Sequence, residues 1–323
     1  MKTIKIGLLG LGNIGTGTYK TLEMNRSEIE STLNAKVEIV KILERDTERD
    51  RGITVPKEKF TSDPDEIFQD PEIDIVIELL GGIEPATTFM LSALKNGKHV
   101  VTANKAALAA NYHELINAAK ENNVILRFEA SVGGIPILGT LTGPLRANKF
   151  EEVMGILNGT TNYILTMMTK EGLDYETALK DAQEQGFAEA DPTADVEGID
   201  AANKLTILMA LMFDKYVAPK DIPTTGITEI TKEKIEEARS NGCKIKLIAH
   251  AWRDENDEIK YEVRPMYISA THPLANINKE FNAVFVKGNA VDDVMFYGKG
   301  AGPLPTGSAV LGDVIDISMM ILK

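Results

Sequence analysis

The fold is decided by residues 2–15, KTIKIGLLGLGNIG. Residues 2–9 predict a β-strand, and residues 16–26, after the glycines, predict a helix. Between them lies G-x-G-x-x-G, in which the first glycine permits a tight turn, the second admits a pyrophosphate and the third lets helix pack on strand. The helix N-terminus then faces the anion. This context favours a dinucleotide site over a merely tight turn, with the contacts Gly10, Leu11, Gly12, Asn13, Ile14 and Gly15.

The alternation of strand and helix continues to residue 130. Further strands are predicted at 36–43, 73–80, 99–102 and 124–128, and helices at 65–68, 85–96 and 112–122. Such repeats predict a parallel sheet, so we expect an α/β fold with a Rossmann-type nucleotide-binding domain over residues 1–130. Ligands bind at the carboxyl ends of these strands. Lys105 stands at one such end, and a plain surface lysine is the alternative interpretation.

The residues after the second strand bear on the choice of cofactor. An acidic side chain at Glu44 would bind a ribose 2′-hydroxyl and favour NAD. Arg45 could instead hold the 2′-phosphate of NADP. Glu44 and Arg45 therefore favour different cofactors, and these residues alone leave the choice between NAD and NADP open.

A second region follows, with a different pattern. A strand is predicted at 150–157, then the polar run NGTTN and helices at 163–170 and 175–185. Four antiparallel strands are predicted at 243–253, 259–268, 281–287 and 293–297, and a closing helix at 308–322. We expect an α+β domain over residues 131–302, with the segment 303–323 packing back on the first domain or on a dimer region.

Candidate catalytic and binding residues are most concentrated in residues 185–204, QGFAEADPTADVEGIDAANK, which hold an acidic cluster ending in Lys204. Apolar residues recur at helical spacing from Asp195 onward, so we expect Asp195 to cap a helix. Asp200 and Lys204 stand four residues apart on that helix and therefore share one face. A solvated surface ion pair is one interpretation, and a catalytic pair is the other.

Composition limits the classes of protein. The chain has 323 residues and a net charge of -13, which disfavours nucleic acid and anionic membranes as partners. Cys243 is the only cysteine, which excludes an internal disulfide and makes the cytoplasm the default compartment. The histidines show no metal-binding spacing; they are His99, His113, His250 and His272.

Taken in order, seven blocks between residues 4 and 317 resemble homoserine dehydrogenase. They are LGLGNIG, ELLGG, TANK, EAS, NGTTNYIL, AEADPTADVEGIDAANK and GKGAGPLPTGSAVLGDVID. The resemblance implies an oxidoreductase that interconverts L-aspartate 4-semialdehyde and L-homoserine with NADPH or NADH. This reaction lies on the route to threonine, methionine and isoleucine. Because the family often has an arginine where Arg45 stands, we expect NADP(H) to be preferred and NAD(H) tolerated.

The resemblance also implies residue roles. Lys204 is the expected proton donor to the nascent alkoxide, and Lys105 is expected between nicotinamide and substrate. Two sets of contacts are implied besides: the substrate-binding residues Gly159, Thr160, Glu189 and Asp200, and the cofactor-binding residues Gly81 and Gly302. The chemistry agrees, since a substrate ammonium needs carboxylates, which Glu189, Asp195 and Asp200 supply. An alkoxide needs a proton and a nearby positive charge.

This sequence departs from the family in two places. The family binds a monovalent cation such as sodium through backbone carbonyls, here matched to Glu129, Val132 and Gly134, but this loop is one residue shorter. Many relatives continue into an ACT-type regulatory domain, whereas this chain ends at Lys323. Feedback by threonine through such a domain is therefore expected to be absent.

Two rival functions are a catalytically silent NAD(P)-binding sensor and another NAD(P)-dependent amino-acid dehydrogenase. A silent sensor would not need Lys105, Glu189, Asp200 and Lys204 together. We also expect a homodimer built around the apolar stretches 135–145 and 308–322.

Overall fold

A computed structural model describes residues 2–323 and divides the chain into two compact units. The first unit comprises the chain up to Pro136 together with Ala301–Lys323. The second unit is Ile137–Gly300. The first contains a parallel sheet and the second an antiparallel one, so the expected fold class is confirmed.

The first unit alternates strands and helices. Its strands are Thr3–Leu9 (β1), Lys36–Leu43 (β2), Phe60–Thr61 (β3), Ile75–Glu78 (β4), His99–Thr102 (β5) and Leu126–Arg127 (β6). Its helices up to residue 121 are Asn13–Met24 (α1), Arg26–Leu33 (α2), Asp65–Phe68 (α3), Ala86–Lys95 (α4), Lys105–Ala110 (α5) and Tyr112–Glu121 (α6). The strands pair in parallel in the order β3-β2-β1-β4-β5-β6, the order of dinucleotide-binding sheets.

The glycine turn after β1 is tight for steric reasons. Gly10 has a φ of 92°, which a side chain would disfavour, and a Cβ at Gly15 would collide with the Gly10 carbonyl oxygen. Further along α1, a Cβ added at Gly17 would collide with the backbone of Pro303, and one added at Gly307 would collide with the backbone of Gly17. The missing side chains therefore let the last helix of the chain lie directly against α1.

The closing helix spans Pro303–Ile321 and belongs to the first unit. It begins five residues before the predicted start because prolines are tolerated in the first helical turn. Its Val310, Val314 and Ile317 enter the core beneath β1 and β2. By length and composition this helix could cross a membrane, but half of it is buried inside the unit, as in a core helix.

The second unit is a five-stranded antiparallel sheet with helices. The strands are Phe150–Ile156 (β7), Cys243–Arg253 (β8), Ile259–Ser269 (β9), Phe281–Gly288 (β10) and Asp292–Lys299 (β11), in the order β11-β10-β7-β8-β9. The helices are Leu138–Thr142 (α7), Gly159–Glu171 (α8), Tyr175–Glu184 (α9), Thr193–Val196 (α10), Ile199–Phe213 (α11) and Lys232–Ser240 (α12). The closing helix of the first unit is thus α13.

The expectation that Asp195 caps the long helix was wrong. Asp195 lies inside the short helix α10, and the chain then turns at Gly198, whose φ is 82°. The long helix α11 begins only at Ile199. Because a left-handed residue cannot continue a right-handed helix, the acidic stretch is split into two helices that meet at Gly198.

Candidate functional site

In the first unit, the glycine turn is held by the residues that follow β2. The Glu44 carboxylate accepts the backbone N–H of Leu11 at 3.0 Å, and Arg51 Nε donates to the Leu11 carbonyl at 2.7 Å. Glu44 also accepts the N–H groups of Arg45 and Asp46. Both the N–H and the carbonyl of Leu11 are therefore fixed. The helix α1 begins directly after this turn, at Asn13.

A cavity of about 310 Å³ opens beside this turn. Its lining includes Gly10, Glu44, Arg45, Gly81 and Phe89. The Arg45 side chain is exposed, whereas the Glu44 carboxylate is tied to three backbone N–H groups. An apolar wall with one cation at its rim suits the adenosine end of a dinucleotide.

A buried carboxyl joins the next two strand ends. Glu78, at the end of β4, is fully buried and accepts the Leu80 N–H at 2.7 Å and the Thr102 hydroxyl at 2.6 Å. Burial raises the pKa of Glu78. Asn104 donates its amide to the carbonyls of Leu80 and Gly82.

The same asparagine positions Lys105. Its side-chain oxygen accepts the Ala107 N–H at 3.0 Å and so caps α5, of which Lys105 is the first residue. Lys105 is half-buried at the carboxyl end of β5. The backbone at Leu80 and Gly82 and the helix start at Lys105 are thus held by one network, which was not predicted from the sequence.

The loop expected to bind a cation is also anchored. Glu129–Ser131 forms a 3-10 turn, and the Glu129 N–H donates to Asp313 of α13 at 2.7 Å. Burial raises the pKa of Asp313 to about 8. Within residues 2–323 there is no group of three or more His, Cys, Asp or Glu side chains that could hold a metal ion. That finding does not bear on a site made of backbone carbonyls.

In the second unit, the polar run NGTTN forms the start of α8. Asn158 is its N-cap, with the side-chain oxygen accepting the Thr161 N–H at 2.9 Å. Gly159 and Thr160 are the first helical residues, so the run is a helix N-terminus rather than a loop before the helix. The Thr160 hydroxyl lies 2.6 Å from the Phe187 carbonyl oxygen and 3.0 Å from Asp195 Oδ2, and its one proton is shared between these two acceptors.

Asp200 and Lys204 are a buried pair. Lys204 Nζ lies 2.8 Å from Asp200 Oδ2 and 2.6 Å from the carbonyl oxygen of Leu157. Each side chain is only 9% exposed. The interpretation as a solvated surface pair is therefore wrong, because the face of α11 that carries them is covered.

Asn158 links this pair to the neighbouring helix. Its Nδ2 donates to Asp195 at 2.6 Å and to Asp200 at 2.9 Å. The structure thus brings together Thr160, Asp195, Asp200 and Lys204, all of which the sequence indicated. Asn158 itself was missed, although its place before a helix was a readable capping signal.

Glu189 lies outside this network. Its side chain is exposed, and among the described residues 2–323 no hydrogen bond or ion pair joins its carboxylate to the cluster. Its backbone carbonyl accepts a bond from the Gln183 side chain at 3.1 Å.

A second buried lysine in this unit, Lys246, was also not predicted as a functional residue from the sequence. Lys246 on β8 is 2% exposed and donates to Asn162 Oδ1 at 2.8 Å and to the Ile277 carbonyl. Burial lowers the pKa of Lys246 to about 7, with Lys244 and Lys170 adding like charge. The Asn162 NH₂ shares its two N–H groups among three carbonyls of residues 277–281, so Asn162 and Lys246 together hold this segment in place.

Comparison with known proteins shows the family to which this chain belongs. A family model described as homoserine dehydrogenase matches residues 136–315, and one described as homoserine dehydrogenase, NAD binding domain, matches residues 10–129. The chain belongs to the homoserine dehydrogenase family. The homoserine dehydrogenase of Bacillus subtilis is 45% identical over 318 residues, which cover 98% of this chain and 73% of that protein. That of Synechocystis is 44% identical over 319 residues, with the same coverage.

Solved homoserine dehydrogenases have the same fold. The enzyme from Thiobacillus denitrificans superposes with a TM-score of 0.95 at 43% identity, covering 99% of this chain and 74% of that one. A hyperthermophilic archaeal homoserine dehydrogenase in complex with NADPH gives a TM-score of 0.83 at 26% identity, covering 98% of both chains.

The predicted function is therefore confirmed. The chain is an oxidoreductase that acts on a CH–OH group with a nicotinamide cofactor, and it interconverts L-aspartate 4-semialdehyde and L-homoserine.

Proposed function

We propose that Lys204 is the proton donor of this reaction. The observation that carries the proposal is its ammonium, buried in the second unit and fixed by Asp200 and Leu157. The nicotinamide cofactor, when bound, supplies the hydride. Addition of hydride to the aldehyde carbon leaves an alkoxide, and a lysine ammonium offers that oxygen both a proton and a stabilising charge. In homoserine oxidation the neutral amine takes the hydroxyl proton back.

The carboxylates near Lys204 are the proposed site for the substrate's ammonium group. Asp195 and Asp200 are held in one network by Asn158. We assign Glu189, which lies outside that network, a contributing role on the basis of the family resemblance. Gly159 and Thr160 lie at the N-terminus of α8, whose backbone N–H groups attract a carboxylate. An amino acid could thus be held at both of its charged ends.

The first unit is the proposed cofactor-binding domain. The contacts we assign to it are Gly10, Leu11, Gly12, Asn13, Ile14, Gly15, Arg45, Gly81, Lys105 and Gly302. Gly302, with a φ of 121°, directly precedes α13, and Lys105 begins α5. We assign residues 131–302 to catalysis and dimerisation, and the segment 303–323 to the first unit.

NADP(H) is the proposed preferred cofactor, with NAD(H) tolerated. Glu44 already accepts three backbone N–H groups, which reduces its capacity for a ribose hydroxyl. Arg45 is exposed at the rim of the same cavity and carries the charge that a 2′-phosphate requires.

A sodium ion is proposed at the backbone carbonyls of Glu129, Val132 and Gly134. Glu129, the first of these residues, is anchored to α13 through Asp313. Activity measured in sodium and in choline buffers of equal ionic strength tests this site. Equal rates in both would contradict it.

A cytoplasmic homodimer is the proposed assembly. The apolar stretches 135–145 and 308–322 suggested this dimer, but the structure gives them less free surface than expected. Ile137, Leu138 and Leu141 are buried inside the second unit, and the apolar side of α13 is buried inside the first. Exposed apolar side chains remain at Leu304, Met319 and Met320 on α13. Light scattering at micromolar concentration tests the proposal, and a monomer would contradict it.

The reaction itself is tested by a spectrophotometric assay. Purified protein should oxidise NADPH only when aspartate semialdehyde is present and reduce NADP⁺ when homoserine is present. Assays with other amino acids separate this function from that of an amino-acid dehydrogenase acting on an amine carbon.

A further inference from the structure

The amide of Asn158 lies between two carboxylates in the second unit. Its Nδ2 donates to Asp195 Oδ1 at 2.6 Å and to Asp200 Oδ2 at 2.9 Å. The same Asp200 oxygen accepts from Lys204 Nζ at 2.8 Å. Asn158 is only 5% exposed, so water competes little for these bonds.

The orientation of this amide is fixed from its other end. The Asn158 side-chain oxygen accepts the N–H of Thr161 at 2.9 Å and the Thr161 hydroxyl at 3.0 Å. A flipped amide would turn its oxygen towards two carboxylates and its NH₂ towards an N–H donor. Only the observed orientation satisfies both sides, so the helix cap directs the NH₂ at the acidic residues.

A capping role alone would not require asparagine. Aspartate and serine cap helices about as well as asparagine does. Neither offers an NH₂ group with two N–H donors, however, and two neighbouring carboxylates need such a neutral donor between them because their charges repel.

We propose that Asn158 is a positioning residue for the reaction, which orients Asp200, and through it Lys204, while holding Asp195 beside them. The inference rests on the proposed roles of Asp200 and Lys204. The preceding residue acts in the same direction, since the Leu157 carbonyl accepts from Lys204. The end of β7 and the cap of α8 therefore fix both members of the catalytic pair.

Two variants that retain the helix cap, Asn158→Ser and Asn158→Asp, test the proposal. Loss of a group that orients a catalytic side chain costs about 10- to 100-fold by analogy with the partners of metal ligands. We expect kcat to fall by that factor in Asn158→Ser and by more in Asn158→Asp, which places a third carboxylate in the cluster. The KM for NADPH should not change, because the cofactor-binding residues are untouched.

The control is a helix cap in the described part of the chain that makes no hydrogen bond to Asn158, Asp195, Asp200 or Lys204. Thr231 caps α12 by accepting the Lys234 N–H. Thr231→Ala should lower the melting temperature by a few degrees and leave kcat unchanged. That pattern is the opposite of the one expected for Asn158→Ser, which keeps its cap.

Normal kcat in both single variants would overturn the positioning role. An inactive parent enzyme would instead overturn the proposed function, so the two failures can be told apart.

Discussion

Replacing Lys204 by Ala should remove two things at once, a proton donor and one half of a buried ion pair. General acid catalysis is typically worth 10²- to 10⁴-fold, which corresponds to roughly 3 to 5 kcal/mol of barrier. Lys204 and Asp200 are each 9% exposed, so the remaining carboxylate would be buried beside a vacated partner. Removing one member of such a pair costs about 3 to 5 kcal/mol of folding free energy.

These two effects can be separated with a second variant. Asp200→Asn/Lys204→Met removes both charges and approximately keeps the side-chain volumes, so most of the lost stability should return while kcat stays low. Lys180→Ala is the matched control, because Lys180 pairs with Glu184 at the same spacing but is 76% exposed. It should change stability by at most about 0.5 kcal/mol and leave kcat unchanged.

The measurements are kcat and KM in both directions and denaturant unfolding of all three variants. For Lys204→Ala, kcat and kcat/KM should fall together by about a thousandfold. A Lys204→Ala enzyme that folds and works within about tenfold of the parent rate would remove Lys204 from the mechanism.

Three further predictions concern the first unit. Arg45→Ala should raise the KM for NADPH about tenfold or more and change that for NADH little, since a charge-assisted hydrogen bond is worth about 1.5 to 3 kcal/mol; an unchanged NADPH KM would contradict the NADP preference. The Asp313 pKa is about 8 in the folded state and near 4 when unfolded, so the folded protein holds this proton over a wider pH range. The contribution of Asp313 to stability should therefore fall as pH rises from about 4 to 8, by up to about 1.4 kcal/mol per pH unit. Asp313→Asn should flatten this dependence, and equal slopes in both proteins by urea unfolding would refute it. Thr102→Val leaves buried Glu78 without its hydroxyl partner and should cost about 1 to 3 kcal/mol and raise the cofactor KM, whereas unchanged values for both would show that the network does not support the site.

The sequence predicted the parts of the fold that local patterns govern. The run from β1 through Gly10 to α1 combines a strand pattern, a required positive φ and a helix start, and all of these lie within a few residues. The short helix α5 and the two-residue strand β3 were missed because their periodic signal is too brief. Helix α12 was missed although Thr231 offered a cap.

The sequence predicted most of the residues that form the site, but not their burial or their hydrogen-bond partners. The spacing of Asp200 and Lys204 indicates a shared helix face, but whether that face is covered depends on residues far away in the chain, such as Leu157. Asn158 has a readable cap, while its carboxylate partners lie 37 and 42 residues further on. Local geometry also limited the prediction. The left-handed backbone at Gly198 makes α11 begin at Ile199, four residues after the predicted cap at Asp195.

The most direct test of the central claim is turnover by the purified, folded protein. With NADPH and aspartate semialdehyde, absorbance of the reduced cofactor should fall, and chromatography should identify L-homoserine in an amount equal to the cofactor oxidised. The reverse reaction with homoserine and NADP⁺ should restore the absorbance. No turnover in either direction with NADP(H) or NAD(H), in protein shown to be folded by circular dichroism, would contradict the assignment.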